Sequence, residues 1–95
     1  MAYMKRTVAA SIPAAEEFAA VAAAVENLLL GAASLDIAVL WSTGGMAHHV
    51  SMKEYAGLAA DDLILGLLYL GFTDTPLKEG KRSIPLENKV IWKTE

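Results

Sequence analysis

The feature that most constrains the fold of this chain is an alanine-rich segment from Pro13 to Leu35. Its larger apolar residues recur every three or four positions, which is the period of one helix face. They are Phe18, Val21, Val25, Leu28, Leu29 and Ala32. Pro13 suits the first helical turn, and Glu16 and Glu17 favour the positive end of the helix dipole. The segment therefore predicts one long helix that weakens between Gly31 and Ser34 and that neighbours can approach closely.

The length of this helix raises the question of a membrane span. Glu16, Glu17, Glu26 and Asn27 spread around its circumference, and a bilayer core strongly disfavours such side chains. The N-terminus also lacks the basic region, long apolar core and cleavage site of a secretory signal. We therefore expect a cytoplasmic protein without a membrane partner.

The composition constrains the partners of the chain. Its 95 residues are 55% hydrophobic and 20% charged, which is apolar for so small a domain. A surplus of apolar residues usually has to be buried, so we expect an obligate oligomer or a missing partner segment. The net charge of −3 comes from scattered residues, and no basic cluster predicts nucleic-acid binding. The absence of cysteine excludes disulfides and thiolate metal sites.

After the long helix, the hydrophobic pattern becomes typical of strands. Residues 37–41 form a short β-branched and aromatic run that predicts a buried strand, and residues 42–50 predict a loop. Ser51 and Glu54 have the spacing of a capping box. They predict a short helix that runs to about Ala56.

The C-terminal half predicts two further strands. Residues 63–72 are almost continuously apolar, which favours a central strand buried on both faces. Residues 88–92 alternate enough to form a closing strand, and the polar residues 73–83 between them predict a loop. Residues 1–11 show no sustained period and precede the start of the predicted long helix.

The first candidate site lies where the first predicted strand ends, at Trp41, Ser42, Thr43, Gly44 and Gly45. Two adjacent glycines let the backbone approach a planar ring closely. Ser42 and Thr43 add hydroxyl and backbone N–H groups that can bind ring carbonyls. On the residues alone, a strand that ends in a tight turn is the simpler interpretation.

The second candidate site is the pair of adjacent cations Lys81 and Arg82. They could clamp a phosphate, and an arginine offers a bidentate fork for its oxygens. On the residues alone, a solvated pair in a polar loop is the simpler interpretation.

The remaining polar residues receive structural interpretations. His48 and His49 are adjacent, have no third ligand at suitable spacing, and are expected on a surface loop. Asn27 is expected to be a hydrogen-bonded structural group, and Asp61 and Asp62 to form a turn before a strand. No nucleophile with a base beside it is evident.

The order of several motifs resembles the C-terminal half of the FMN-dependent nitroreductase family. The resemblance covers nearly the whole chain from Ile12 onward. The matching stretches are Glu16-Glu17-Phe18, Ala22–Leu30, Val39–Gly44, Gly66–Phe72, and Lys81-Arg82 ahead of Pro85-Leu86. It implies an α+β fold, a nitroreductase-like half-domain in which a long central helix packs on a mainly antiparallel sheet. It also implies a homodimer with flavin at the subunit interface.

The same resemblance implies roles for the two candidate sites. Trp41 to Gly45 would lie beside the FMN ring, and Lys81 and Arg82 would contact the FMN phosphate. Ser42 stands where similar members often carry a basic residue. NAD(P)H would reduce the flavin, and a small electron acceptor such as a nitroaromatic or a quinone would reoxidise it.

The domain organisation expected from this resemblance is incomplete. A whole family domain is considerably longer, and its N-terminal half carries an Arg- and Ser-containing phosphate motif that this chain lacks. We therefore predict that residues 1–95 are the C-terminal portion of such a domain, with a second copy or the missing N-terminal half as partner. The alternatives are a cofactor-free α+β dimerisation module and a flavin-binding sensor that has lost the reaction.

Overall fold

The computed structural model describes residues 1–7, 11–76 and 78–95 of the chain. Its helices are α1, Ala14–Ser34, and α2, Val50–Tyr55, and its strands are β1, Ala2–Met4, β2, Ala38–Ser42, and β3, Leu63–Gly71. There are also two short 3₁₀ turns. The first follows β2 at Gly45–His48, and the second lies near the C-terminus at Leu86–Asn88. The predicted α+β architecture is confirmed, with one long helix on a small antiparallel sheet. Residues 8–10 and 77, which belong to the predicted irregular N-terminus and to the predicted 73–83 loop, lie outside the described residues.

The long helix ends in a hydrogen-bonded cap that its sequence supports. Asp36 adopts the left-handed conformation with φ 56°, which aspartate tolerates better than most residues. The N–H of Ile37 then donates to the carbonyl of Ala32 at 2.9 Å, and that of Asp36 donates to Ala33 at 3.2 Å. These two bonds form a Schellman motif and satisfy carbonyls at the helix end. The chain is thereby turned directly into β2.

The sheet has the order β1-β3-β2, and both pairings are antiparallel. β2 pairs with the second half of β3 without interruption, from Ala38 opposite Gly71 to Ser42 opposite Leu67. β1 pairs with the beginning of β3 across an irregularity, because Tyr3 lies opposite Ile64 whereas Ala2 lies opposite Gly66. One extra residue on β3 therefore forms a β-bulge in the middle of the sheet.

Gly66 makes this bulge possible. Its φ is 146°, a conformation that L side chains rarely adopt. A Cβ atom at this position would lie 2.5 Å from Nε1 of Trp41 and 2.6 Å from the carbonyl oxygen of Ser42. The Trp41 indole N–H donates to the carbonyl of Leu65 at 3.0 Å. The ring of Trp41 therefore packs directly over the bulge.

The core is small and lies between α1, the sheet and the first 3₁₀ turn. α1 packs against all three strands, and the first 3₁₀ turn packs against β3. The buried apolar residues are Met4, Val25, Ala32, Ala47, Ile64 and Leu65. By length and composition α1 is also apolar enough to cross a membrane, a property that it shares with signal sequences and with the core helices of soluble proteins.

Two predictions about strands need correction, and one strand has no prediction to match it. Residues 1–11 show no periodic pattern, yet they contain β1, because a strand of three residues is too short to produce a recognisable pattern. Residues 63–72 do form the central strand, but it is buried only at 64–66 and is exposed from Tyr69 onward. Residues 88–92 form no strand, because residues 86–88 close a 3₁₀ turn and no sheet edge pairs with the segment after it.

Two predictions about polar residues are also wrong. Ser51 does not cap α2; the helix begins one residue earlier, at Val50, and the N-cap is His49, whose Nδ1 accepts the N–H of Ser51 at 3.3 Å. The side chain of Asn27 is exposed and has no hydrogen-bond partner among the described residues. It is therefore solvated and has no structural role of the kind predicted. The predicted end of α2 is confirmed, since Gly57 takes φ 64° directly after it.

Candidate functional site

The residues Trp41 to Gly45 lie at the end of β2 and in the turn that follows it; we call this segment the β2 exit. Trp41 and Ser42 are the last residues of the strand and are half-buried. Thr43 to Gly45 are exposed, and Gly45 begins the first 3₁₀ turn. That turn is closed by the Ala47 N–H, which donates to the Gly44 carbonyl at 2.9 Å. Since Ala47 is fully buried, the turn is anchored in the core and holds the β2 exit in place.

The two adjacent glycines of the β2 exit are not required by the chain itself. Neither Gly44 nor Gly45 has a positive φ, and Gly44 lies in the extended region at φ −71°, ψ 165°. A Cβ atom at either position would meet no atom of the described residues within 4 Å. This contrasts with Gly66, which both its backbone and its contacts require. The backbone at Gly44 and Gly45 is therefore open to a flat ligand, and any larger side chain there would occupy that space.

The β2 exit also offers unused hydrogen-bond donors. Among the described residues, no acceptor binds the backbone N–H of Thr43 or of Gly44. The hydroxyl of Thr43 has no partner in the same part of the chain either. Exposed backbone N–H groups of this kind suit the carbonyl oxygens of a planar ligand.

The role of Trp41 is narrower than the sequence predicts. Its indole N–H is occupied by the Leu65 carbonyl at 3.0 Å, so it is not available to a ligand. The side chain instead fixes the end of β2 to the bulge at Gly66. Trp41 thus positions the β2 exit, and only its apolar ring surface remains for contact with a ligand.

Lys81 and Arg82 line an open cleft of about 430 Å³ together with Gly80, Ser83 and Lys89. We call this the cationic cleft. None of its three cations has a carboxylate partner among the described residues, where Arg6 and Glu17 form the only salt bridge. Lys89 was not predicted from the sequence. The sequence feature that could have indicated Lys89 is Pro85. It starts the 3₁₀ turn that brings Lys89 to the cleft of Lys81 and Arg82.

The structure does not bring the two candidate sites into one cleft. Every residue that lines the cationic cleft comes from 80–83 or from Lys89, and none comes from the β2 exit. Residues 78–95 are exposed except for the half-buried Val90. The cationic cleft therefore belongs to an exposed segment, whereas the β2 exit is attached to the core.

Asp62 has a structural role that agrees with the predicted turn before a strand. It is 2% exposed and accepts the backbone N–H groups of Arg6 and Ala59, each at 2.8 Å. These hydrogen bonds stabilise the carboxylate, so the pKa of Asp62 lies below its ordinary value. Asp62 thereby joins the end of β1 to the turn that begins β3.

A second carboxylate joins the N-terminal segment to α1. Glu17 accepts the backbone N–H and the hydroxyl of Thr7 at 3.0 Å and 2.5 Å, and it forms a salt bridge with Arg6. The hydrogen bonds from Thr7, followed by the positive charge of Arg6, hold the pKa of Glu17 below its ordinary value. Together Asp62 and Glu17 fasten the residues after β1 on both sides.

The histidines are exposed, as predicted, and His49 serves as the N-cap of α2. Its Nδ1 also lies 3.1 Å from the Ser51 hydroxyl. In the described part of the chain, no three His, Asp or Glu side chains are grouped closely enough to share a metal ion.

Comparison with known proteins agrees with this architecture. The family model of the nitroreductase family matches residues 1–72. A nitroreductase-like family protein from Bacillus cereus has a crystal structure similar to this fold, with a TM-score of 0.77 and 28% sequence identity. The similarity covers 98% of this chain and 49% of that protein, so the chain spans about half the length of its structural relative. Among curated protein sequences, none matches this chain.

Proposed function

The chain belongs to the nitroreductase family, and from this premise we propose that it is part of an FMN-dependent NAD(P)H oxidoreductase acting on nitroaromatics, quinones or similar acceptors. Family membership supports a nitroreductase-like oxidoreductase. The observation that carries the flavin proposal is the β2 exit, which lies inside the matched residues 1–72. Among the described residues its paired glycines answer no steric or backbone need, and the N–H groups of Thr43 and Gly44 beside them have no acceptor.

The residues present fit the two ends of FMN at two separate places, the β2 exit for the ring and the cationic cleft for the phosphate, which the described chain does not bring into one cleft. The open backbone at Gly44 and Gly45 admits an aromatic ring, and the N–H groups of Thr43 and Gly44 are free to bind its carbonyl oxygens. Lys81 and Arg82 have the charge and the unpaired donors that a phosphate requires. FMN, when bound, supplies hydride transfer between NAD(P)H and the acceptor. The chain supplies donors near the ring, where negative charge develops on reduction, and cations for the phosphate.

A partner is part of this proposal. The chain spans about half of its structural relative, and many large apolar side chains are exposed. On the paired strands β2 and β3, for example, Leu40 and Tyr69 lie opposite each other and are 64% and 58% exposed. A second copy of the chain, or a segment equivalent to the other half of the structural relative, would bury such surfaces. It would also bring further groups to the flavin.

A substitution at Gly44 tests the flavin proposal with little risk to the fold. Gly44→Val is compatible with the backbone at this position and meets no neighbouring atom, so stability should change little. Its side chain would occupy the space proposed for the ring and should weaken FMN binding by tenfold or more, as read from quenching of flavin fluorescence. Gly71→Val is the matched control, because Gly71 also has open space around it and lies at the opposite end of the β2–β3 pairing. Equal FMN affinity in the two variants would count against the β2 exit as the flavin site.

A cofactor-free dimerisation module is the second candidate function. It is favoured by the exposed apolar pair of Leu40 and Tyr69, which is suited to self-association whether or not flavin binds. Visible absorption and sedimentation of natively purified protein separate the two functions. Yellow protein that oxidises NADPH with a nitroaromatic supports the oxidoreductase, whereas a colourless stable dimer that takes up no added FMN supports the module. Protein that binds FMN but resists reduction by NAD(P)H would be a flavin sensor.

A further inference from the structure

We propose that Lys89 completes the cationic cleft as a three-cation site for a phosphate monoester. This inference rests on the proposed function, in which Lys81 and Arg82 bind a phosphate, and it adds Lys89 as a further binding residue. Ser83, which also lines the cleft, adds a hydroxyl donor.

The local fold explains how Lys89 reaches the other two cations. Pro85 starts the second 3₁₀ turn, in which the N–H of Asn88 donates to the Pro85 carbonyl at 3.2 Å. The N–H of Lys89 then donates to the Leu86 carbonyl at 2.9 Å and caps the turn. The turn reverses the chain, so that Lys89 lines the same cleft as Lys81 and Arg82 although it lies several residues further along.

The electrostatics of the cleft favour an anion. Three cations share one cleft in a chain whose net charge is −3, and none of them is paired with a carboxylate among the described residues. Like charges brought together in this way repel one another, and a concave surface concentrates their positive potential. A bound anion would remove this repulsion. Because the cleft is open to water, its attraction should weaken as the ionic strength rises.

A phosphate monoester matches the donors better than a carboxylate does. It carries about two negative charges near neutral pH and presents three terminal oxygens. The guanidinium of Arg82 can bind two of these oxygens, while Lys81 and Lys89 supply compact charges for the remaining one. Two ligands of the proposed reaction contain such a group, namely FMN through its 5′-phosphate and NADPH through its 2′-phosphate. The chemistry of the cleft is the same for both.

The test uses the 95-residue chain and two pairs of ligands that differ in one phosphate. Dissociation constants are measured for FMN and riboflavin and for NADPH and NADH by fluorescence at low ionic strength, with inorganic phosphate as a competitor. The variant is Lys89→Gln. The matched control is Lys78→Gln, which removes the same charge from an exposed lysine that does not line the cleft. Far-UV circular dichroism checks that both variants keep the fold.

We expect Lys89→Gln to weaken binding of a phosphate-bearing ligand about five- to tenfold, the effect of one charge-assisted contact at an exposed site. Riboflavin and NADH should bind as they do to the wild type, and Lys78→Gln should change none of the four constants. A loss confined to FMN identifies the cofactor as the source of the phosphate. A loss confined to NADPH identifies the reductant and predicts a preference for NADPH over NADH.

Other outcomes separate this inference from the proposed function. If FMN and riboflavin both fail to bind while NADPH or inorganic phosphate binds in a Lys89-dependent way, the flavin proposal fails and the cleft assignment stands. If FMN binds and Lys89→Gln binds it like the wild type, with NADPH also unaffected, the assignment of Lys89 is overturned. An equal loss for riboflavin and FMN would make Lys89 a structural residue and overturn it as well. So would a wild-type chain that binds no phosphate-bearing ligand and no inorganic phosphate.

Discussion

The bulge at Gly66 allows a demanding test of how this small sheet is held together. In Gly66→Ala, the new Cβ would lie 2.5 Å from Nε1 of Trp41 and 2.6 Å from the carbonyl oxygen of Ser42. The second contact is to backbone, so it cannot be relieved by rotating a side chain. Alanine would also have to adopt φ 146°, which costs an L residue about 1–3 kcal/mol. Both effects act on the same few atoms of β2 and β3.

The magnitude follows from these two effects. If Trp41 moves away to make room, its hydrogen bond to the Leu65 carbonyl is lost, at about 0.5–1.5 kcal/mol. With the backbone strain, the free energy of unfolding should fall by about 2–4 kcal/mol. Small domains are stable by only about 5–15 kcal/mol, so this loss should move the midpoint of urea denaturation substantially.

The control for this experiment lies on the same strand. Gly71→Ala makes the same chemical change at a position where the new Cβ would meet no atom within 4 Å and where φ is not positive. Its effect should be small, or stabilising by about 0.4–1 kcal/mol through the unfolded chain. Urea unfolding followed by far-UV circular dichroism compares the two variants. Equal midpoints for Gly66→Ala and Gly71→Ala would refute the argument that the bulge needs glycine, and with it the packing of Trp41 over Gly66.

Two further predictions concern the hydrogen bonds around this sheet. Because the pKa of Asp62 is lowered by the N–H groups of Arg6 and Ala59, its stabilising effect should be complete above the ordinary value of 3.8 and should be lost as the pH falls from there through the lowered pKa. In Asp62→Asn, the acid limb of a plot of unfolding midpoint against pH should flatten, and an unchanged limb would assign the acid sensitivity to other carboxyls. Trp41→Phe removes the indole donor and leaves the Leu65 carbonyl without it, so urea titrations should show a loss of about 0.5–1.5 kcal/mol. A loss near zero would mean that water replaces the indole N–H.

The elements that the sequence predicted correctly are those specified by local pattern. The long helix repeats its apolar residues over about six turns, and its N-terminal signals, Pro13 and Glu16-Glu17, agree with the observed start at Ala14. β2 was predicted at 37–41 and is observed at Ala38–Ser42. The end of α2 is predicted because glycine adopts the left-handed conformation more readily than other residues, and Gly57 does adopt it. In each case the information lies within a few residues of the element.

The elements that were missed depend on residues far apart in the sequence. β1 has three residues and becomes a strand because β3, some sixty residues later, offers it an edge. Residues 88–92 alternate as a strand would, yet no edge of the described sheet pairs with them. Pairing partners are not visible in a local pattern. The same limit applies to Lys89, whose place in the cationic cleft depends on a turn and not on its distance from Lys81 along the chain.

Helix caps show a different limit, in which two residues compete for the same role. His49 directly precedes α2 and Ser51 lies in its first turn, and the side chain of each can accept a backbone N–H. Ser51 matches the familiar capping pattern with Glu54, but the structure uses the His49 ring nitrogen, because His49 already has the extended backbone of a cap, at φ −72° and ψ 142°. The cap is set by the backbone that the preceding 3₁₀ turn delivers, and the side chain follows.

Glycines separate what the fold of this chain needs from what the fold leaves open. Gly66 has a φ that disfavours side chains and has three atoms within 2.8 Å of where a Cβ would lie, so the fold alone accounts for it. Gly44 and Gly45 have neither feature, although they follow the same Trp41 closely along the chain. Among the described residues nothing requires glycine at these two positions, which leaves room for the ligand that we propose at the β2 exit. The hydrogen bond from Trp41 to Leu65 fixes the end of β2 to the bulge, so that open backbone is presented at a defined position, as the proposed flat cofactor requires.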